Sequence, residues 1–144
     1  MKVSPHTIQV LNGLVLGELA AAEICTEAIR LFPQSLANRI WEEVRGDHLE
    51  SVDRLSELIL REGGHPLAGT ITNPYHLENR SMPRGEEEVI RVLMLREEGG
   101  LNGYAEALSD DKVPPQVKKV LREELMPPVQ FHMIALDKLT ASAI

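Results

Sequence analysis

The segment GELAAAEICTEAI at residues 17–29 returns, with one constant offset, as REEGGLNGYAEAL at residues 96–108. In this pairing Glu18 corresponds to Glu97. Each copy carries apolar residues at the three- and four-residue spacing of a helix with one buried face. The repeat therefore predicts two related helices, each with a glutamate on its apolar side.

A second pair of matching segments follows the first pair. HLESVDRL at 48–55 matches HMIALDKL at 132–139, so His48 corresponds to His132. A chain that twice places a glutamate-bearing helix before a histidine-bearing helix is typical of two helical hairpins that face each other. The sequence thus predicts an all-α fold, an antiparallel four-helix bundle.

The chain length of 144 residues suits one domain with a substantial core. We expect a single domain, 1–144, made of hairpins at about 4–63 and 83–142. The segment 64–82 lacks helical periodicity and is rich in turn residues. A connection of this length is unusual in a compact domain, and it is explained if helices 2 and 3 run parallel, so that the chain crosses the length of the bundle.

Two stretches predict irregular helices. Pro127 and Pro128 fall in the middle of helix 4, so we expect a kink or break just before Val129. Glycines at 99, 100 and 103 in helix 3 weaken a helix by roughly 1 kcal/mol each relative to alanine. They indicate a neighbouring helix that presses close, a local bulge, or a frayed end.

Composition excludes several classes of partner. The formal net charge is −7, and no basic stripe is present, which argues against nucleic acid and against an anionic membrane surface. We expect no signal peptide and no apolar run of membrane length. Cys25 is the only cysteine, so no internal disulfide can form, and a reducing cytoplasm is the expected compartment.

Four polar residues occupy positions that helical spacing assigns to the interior: Glu18, His48, Glu97 and His132. A buried carboxylate without a partner is costly, so such groups are rarely left alone. Each of the four helices contributes one of them, and a bundle can therefore bring them to one centre. Carboxylate and imidazole ligands suit iron, manganese or zinc.

The chain resembles the ferritin-like proteins of the bacterioferritin and rubrerythrin group, in a bacterial branch of that superfamily. A tyrosine commonly stands in that family where this chain has Cys25, and Tyr104 keeps that pattern in the second half. The resemblance covers nearly the whole length and implies a ferritin-like bundle with one long crossover between helices 2 and 3. Short motifs carry it: LNGL at 11–14 ahead of Glu18, GGHP at 63–66, and YAEAL at 104–108.

In that family a di-iron site takes one glutamate from each of two helices and Glu-x-x-His from each of the other two. The four inward residues match the two single glutamates and the two histidines. The bridging glutamates do not match, because Arg45 and Val129 stand three residues before His48 and His132. The resemblance therefore implies a degenerate di-metal site.

Charge counting limits what this site can hold. Two divalent ions bring four positive charges against two matched carboxylates, and buried charge of that size needs compensation. We expect at most one iron, manganese or zinc ion, or no metal at all. In the metal-free alternative Arg45 substitutes for the metal, with its guanidinium forked between Glu18 and Glu97.

The sequence leaves two classes of function open. The first is a bundle without metal that serves as a structural or interaction module and self-associates, with a dimer as the expected homo-oligomer. The alternative is an iron- or manganese-binding metalloprotein that oxidises ferrous iron or handles peroxide. The sequence shows no pattern for nucleophilic catalysis, so it assigns no catalytic residue.

Overall fold

Four helical rods make up the computed structural model, which describes residues 4–67 and 85–142. The first three rods are single helices. The fourth is a short α-helix that continues through a π-helical turn into a longer α-helix. Their bounds are α1 Pro5–Leu31, α2 Asn38–Arg61, α3 Glu86–Ser109, α4 Pro115–Val120, the π turn Leu121–Leu125 and α5 Met126–Ser142.

Local signals in the sequence explain where these helices begin and end. Ser4 caps α1, because its side-chain oxygen accepts a hydrogen bond from the backbone N–H of Thr7 at 3.3 Å, and Pro5 occupies the first turn. Beyond α2, Gly63 adopts φ 86°, a conformation that favours glycine. A Cβ on Gly64 would lie 2.5 Å from Ile8, so only glycine allows this close approach to α1.

Contacts at the helix ends establish the directions of the rods. Asn12 in α1 hydrogen-bonds the backbone of His65 and Leu67, just past the end of α2. His6 in α1 contacts Asp110, at the end of α3, at 2.6 Å. Both α2 and α3 are therefore antiparallel to α1 and parallel to each other.

Two contacts between α2 and the fourth rod complete the topology. Arg54 pairs with Glu124, and Asp47 pairs with His132, so the fourth rod runs antiparallel to α2. The predicted four-helix bundle, with parallel second and third helices, is confirmed. Most of the predicted crossover 64–82 lies outside the described residues.

The fourth rod departs from the predicted break before Val129. The chain stays helical through Pro127 and Pro128, and the irregularity lies at residues 121–125 instead. There the backbone N–H of Met126 bonds the carbonyl of Leu121, five residues back, as in a π-helix. Prolines lack the N–H that an α-helix needs and crowd the carbonyl four residues earlier. A wider turn directly ahead of them relieves both problems.

The glycines of α3 do not fray the helix, which is α-helical throughout Glu86–Ser109. A neighbouring helix comes close at only one of the three, since a Cβ on Gly103 would lie 3.3 Å from Leu14 of α1. A Cβ on Gly99 or Gly100 would meet no atom within 4 Å. The predicted pressing neighbour is thus absent at these two positions.

The α1 helix corrects one expectation from the sequence. By length and composition alone Pro5–Leu31 could cross a membrane, so a run of membrane length does exist. Half of its most apolar window is buried inside the bundle. We therefore describe α1 as a core helix, which agrees with the packing of its buried face.

The apolar core consists of two clusters with a polar layer between them. The first cluster includes Val15, Leu55 and Tyr104, and the second includes Trp41 and Leu93. Along each rod one polar residue separates the two clusters. In chain order these residues and their flanking core members are Glu18 between Val15 and Ala21, His48 between Val44 and Val52, Glu97 between Leu93 and Tyr104, and His132 between Val129 and Leu136.

Candidate metal centre

The polar layer brings together the four residues that helical spacing places inside the bundle. Glu18 is 5 % exposed, His48 3 %, Glu97 1 % and His132 4 %. Each lies on the inward face of its helix, between the two apolar clusters. Burial of this degree obliges the four side chains to satisfy one another.

His48 lies at the middle of the layer and bridges two carboxylates. Its Nδ1 is 2.5 Å from Oε2 of Glu18, and its Nε2 is 2.5 Å from Oε1 of Glu97. The second oxygen of Glu18 accepts a hydrogen bond from the Tyr104 hydroxyl at 2.6 Å. Both ring nitrogens of His48 thus face anions, an arrangement that favours the doubly protonated imidazolium.

Protonation of the layer follows from this geometry. Burial alone lowers the pKa of His48, but the hydrogen bonds with Glu18 and Glu97 outweigh it and raise the pKa to about 10. Burial alone raises the pKa of Glu97, yet the two neighbouring imidazoles hold it below its usual range. Burial and the adjacent carboxylate of Glu18 raise the pKa of Tyr104, so its hydroxyl stays protonated and donates.

His132 is held from its outer side. Its Nε2 is 2.8 Å from Oδ2 of Asp47, whose side chain is 48 % exposed. This hydrogen bond with Asp47 orients the ring so that Nδ1 faces inward. That Nδ1 lies 3.3 Å from Oε1 of Glu97, but it is not aligned for a hydrogen bond. The ring also lies 4.8 Å from the ring of His48, centroid to centroid.

Two buried atoms of the layer lack a hydrogen-bond partner within the part of the chain that the structure describes, namely Oε2 of Glu97 and Nδ1 of His132. An unpaired buried polar atom costs about 1–3 kcal/mol. One ligand atom from each of His48, Glu97 and His132 can be chosen so that all three lie within 4.8 Å of one another. This spacing fits one metal ion, and Asp47 fixes His132 as outer-shell carboxylates fix metal-bound histidines.

The positions predicted for the bridging ligands of a two-ion site are Arg45 and Val129. Val129 is buried and apolar, and Arg45 is exposed on α2, so neither predicted bridging position supplies a carboxylate. The exposure of Arg45 also corrects the prediction that its guanidinium forks between Glu18 and Glu97. The ring of His48 occupies that place instead.

Sequence reasoning missed two members of the layer. Asp47 is half exposed and helical spacing does not place it inside the bundle, yet its carboxylate reaches back to His132 on another helix. The sequence identifies Tyr104 only as part of a motif, whereas in the structure its hydroxyl donates a hydrogen bond to Glu18. Cys25 is buried, and burial raises its pKa, so its thiol is an inert core group.

Comparison with solved structures supports the helical-bundle fold. No protein-family model matches the chain, and no curated protein matches it in sequence. Among solved structures, a bacterioferritin from Rhodobacter capsulatus superposes with a TM-score of 0.76, covering 98 % of this chain and 87 % of that one. The chain has a ferritin-like fold. Sequence identity with that bacterioferritin is 23 %, and its structure is described as having a metal-free dinuclear site and haem iron.

Proposed function

We propose that this ferritin-like protein binds one divalent transition-metal ion in its polar layer, with iron, manganese and zinc as the candidate metals. His48, Glu97 and His132 would hold the ion, and Glu18 would add a second carboxylate. The observation that carries the proposal is the pair of buried, unpartnered atoms, Oε2 of Glu97 and Nδ1 of His132. An oxygen and an imidazole nitrogen are ligands that these metals accept.

Charge favours one ion over two. Glu18 and Glu97 together carry two negative charges, which balance one divalent ion once His48 is neutral. A second ion would leave two positive charges uncompensated in a site whose members are almost fully buried. The missing bridging carboxylates at Arg45 and Val129 support the same limit.

The bound ion would supply a Lewis-acidic or redox-active centre, depending on the metal. Four protein ligands fill a tetrahedral site, the geometry of zinc, but leave a position open on a six-coordinate iron or manganese ion. Oxidation of ferrous iron and reaction with peroxide are the activities that such a position permits. Around it, Asp47 would orient His132, and Tyr104 would hold Glu18.

A second candidate is a metal-free bundle with a structural or interaction role. It is favoured by one observation, that both nitrogens of His48 already lie 2.5 Å from carboxylate oxygens. In this candidate the imidazolium is the cation that neutralises the layer. Self-association as a homo-oligomer and a cytoplasmic location remain predictions for both candidates.

Metal content separates the two candidates. Protein produced with iron, manganese and zinc in the medium should carry one transition-metal ion per chain by elemental analysis. Chelator-treated protein should take up the same amount on titration, and His132→Ala should lose this uptake. If neither the purified nor the titrated protein contained stoichiometric metal, the proposal would be refuted and the metal-free candidate would remain.

Asp47→Asn tests whether the layer is organised around a metal-bound histidine. Loss of the carboxylate that accepts from Nε2 of His132 should weaken metal binding about 10–100-fold. Glu50→Gln is the matched control, because Glu50 is an exposed carboxylate one turn further along α2. Titration calorimetry should give wild-type affinity for the control, and equal affinities for both variants would contradict this role of Asp47.

A further inference from the structure

A trough runs between α1 and α3 and ends on the polar layer. It forms a cavity of about 230 Å³ whose floor includes Glu18, His48, Glu97 and Tyr104. Its walls are unusual, because five glycines from the two helices line it. They are Gly13 and Gly17 of α1 and Gly99, Gly100 and Gly103 of α3.

These glycines are not explained by packing. Among the described residues, a Cβ added at Gly13, Gly17, Gly99 or Gly100 would meet no atom within 4 Å, so no described helix requires glycine at these positions. Each costs its helix roughly 1 kcal/mol relative to alanine. What their missing side chains provide is the open space of the trough itself.

A second observation shows what the trough leads to. Glu97 lines it, is 1 % exposed, and has an oxygen, Oε2, without a hydrogen-bond partner. Buried carboxylate oxygens are normally paired. The trough therefore lies against a buried carboxylate that still has the capacity to accept a cation or a donor.

Carboxylates at the outer end of the trough favour a cation, whereas the trough itself is lined by Arg96 as well as by Glu18 and Glu97. A second cavity of about 290 Å³ continues it along the same two helices and shares Gly13, Leu14 and Gly103 with it. Glu106 and Asp110 line this outer part. Carboxylates at the mouth of a groove raise the local concentration of cations and speed their arrival.

We propose that this glycine-lined trough is the route by which a hydrated divalent cation reaches Glu97 and the polar layer. The inference rests on the proposed metal site and adds how the ion enters. It assigns the glycines a role in the rate of metal uptake, since a glycine has no side chain that could bind the ion. A side chain placed in the trough should slow uptake and release equally and leave the dissociation constant unchanged.

Gly17→Leu and Gly100→Leu test this by filling the trough from opposite walls. Both replacements gain helix propensity, and their Cβ atoms meet no neighbour, so the variants should fold. Gly46→Leu is the matched control, because Gly46 is a helical glycine of α2 with equal space around its Cβ and does not line the trough. Gly100→Ala adds a small side chain at the same place.

The measurement is stopped-flow uptake of Co²⁺ by chelator-treated protein, followed by absorbance, beside equilibrium titration with Co²⁺. Both leucine variants should load about tenfold more slowly than wild type, because uptake must wait for the side chain to move aside. Gly46→Leu and Gly100→Ala should load close to the wild-type rate. All four variants should keep the wild-type dissociation constant, and circular dichroism should confirm that they are folded.

The outcomes separate the route from the site. If the wild-type protein takes up Co²⁺ and both leucine variants take it up at the same rate, the proposed route is refuted and the proposed metal site is retained. Equal slowing by Gly46→Leu, or weaker binding without slower uptake, also overturns the route. If the wild-type protein binds no Co²⁺, the metal site fails and the route fails with it.

Discussion

Replacing His48 with alanine should destabilise the metal-free protein far more than replacing His132. Both histidines are almost fully buried, and each substitution removes the same imidazole ring. His48 bridges Glu18 and Glu97 at 2.5 Å on each side, whereas His132 lies 3.3 Å from Glu97 without alignment and contacts the half-exposed Asp47. The difference between the two variants therefore reports the bridge and not the cavity.

The magnitude follows from the charges that remain. Without His48, two carboxylates stay buried with no cation between them. Breaking a buried pair by removing one partner costs about 3–5 kcal/mol. We expect His48→Ala to lose about 3 kcal/mol more than His132→Ala, which corresponds to a difference of about 6–12 °C in melting temperature for a chain of this length.

Urea unfolding followed by circular dichroism, with a chelator present at neutral pH, measures this difference directly. Equal losses for the two variants would refute the bridging role of His48. The same variants also test the metal site. A metal at one hundred times its dissociation constant should stabilise the wild-type protein by about 2.7 kcal/mol. Neither alanine variant should respond, because each lacks one ligand.

Two further predictions concern pH and the helix glycines. In metal-free protein the pKa of His48 rises from 6.5 to about 10, so its contribution is complete below pH 6.5 and is lost as the pH rises towards 10. The pKa of Glu97 lies below its usual 4.5, so its contribution is complete above pH 4.5 and is lost on acidification. Melting temperature with chelator present should therefore peak between about pH 5 and 6.5, and a flat profile from pH 6 to 10 would contradict this. Gly99→Ala should stabilise the protein by about 1 kcal/mol in urea unfolding, because its Cβ meets no neighbour. Gly103→Ala should gain less, because its Cβ would lie 3.3 Å from Leu14, and equal gains would show that this contact does not matter.

The overall fold could be predicted from the chain because the signal is periodic and repeated. Helical spacing carries the inward direction of a residue directly, so Glu18 and His48 could be placed in the core from one helix at a time. The parallel arrangement of the second and third helices followed from the length of the segment between them. These inferences need only local geometry and chain length.

The parts that could not be predicted depend on distances between helices. Asp47 reaches the site from a half-exposed position, and only the packing of α2 against the fourth rod shows which side chain it meets. The outward turn of Arg45 is likewise a matter of how α2 is rotated. Two prolines predict a disturbed helix, but they do not specify that a π turn before them absorbs the strain.

The polar layer between two apolar clusters also constrains how the rods can slide. If one helix moved by a single turn, Glu97 would no longer contact His48 and would lie among the apolar residues that now surround Leu93. A leucine or valine would then face a carboxylate. A uniformly aliphatic interior imposes no such penalty, whereas one buried polar position can fix helix register in coiled coils. The layer thus fixes the register of the four rods along the bundle axis, whether or not an ion occupies it.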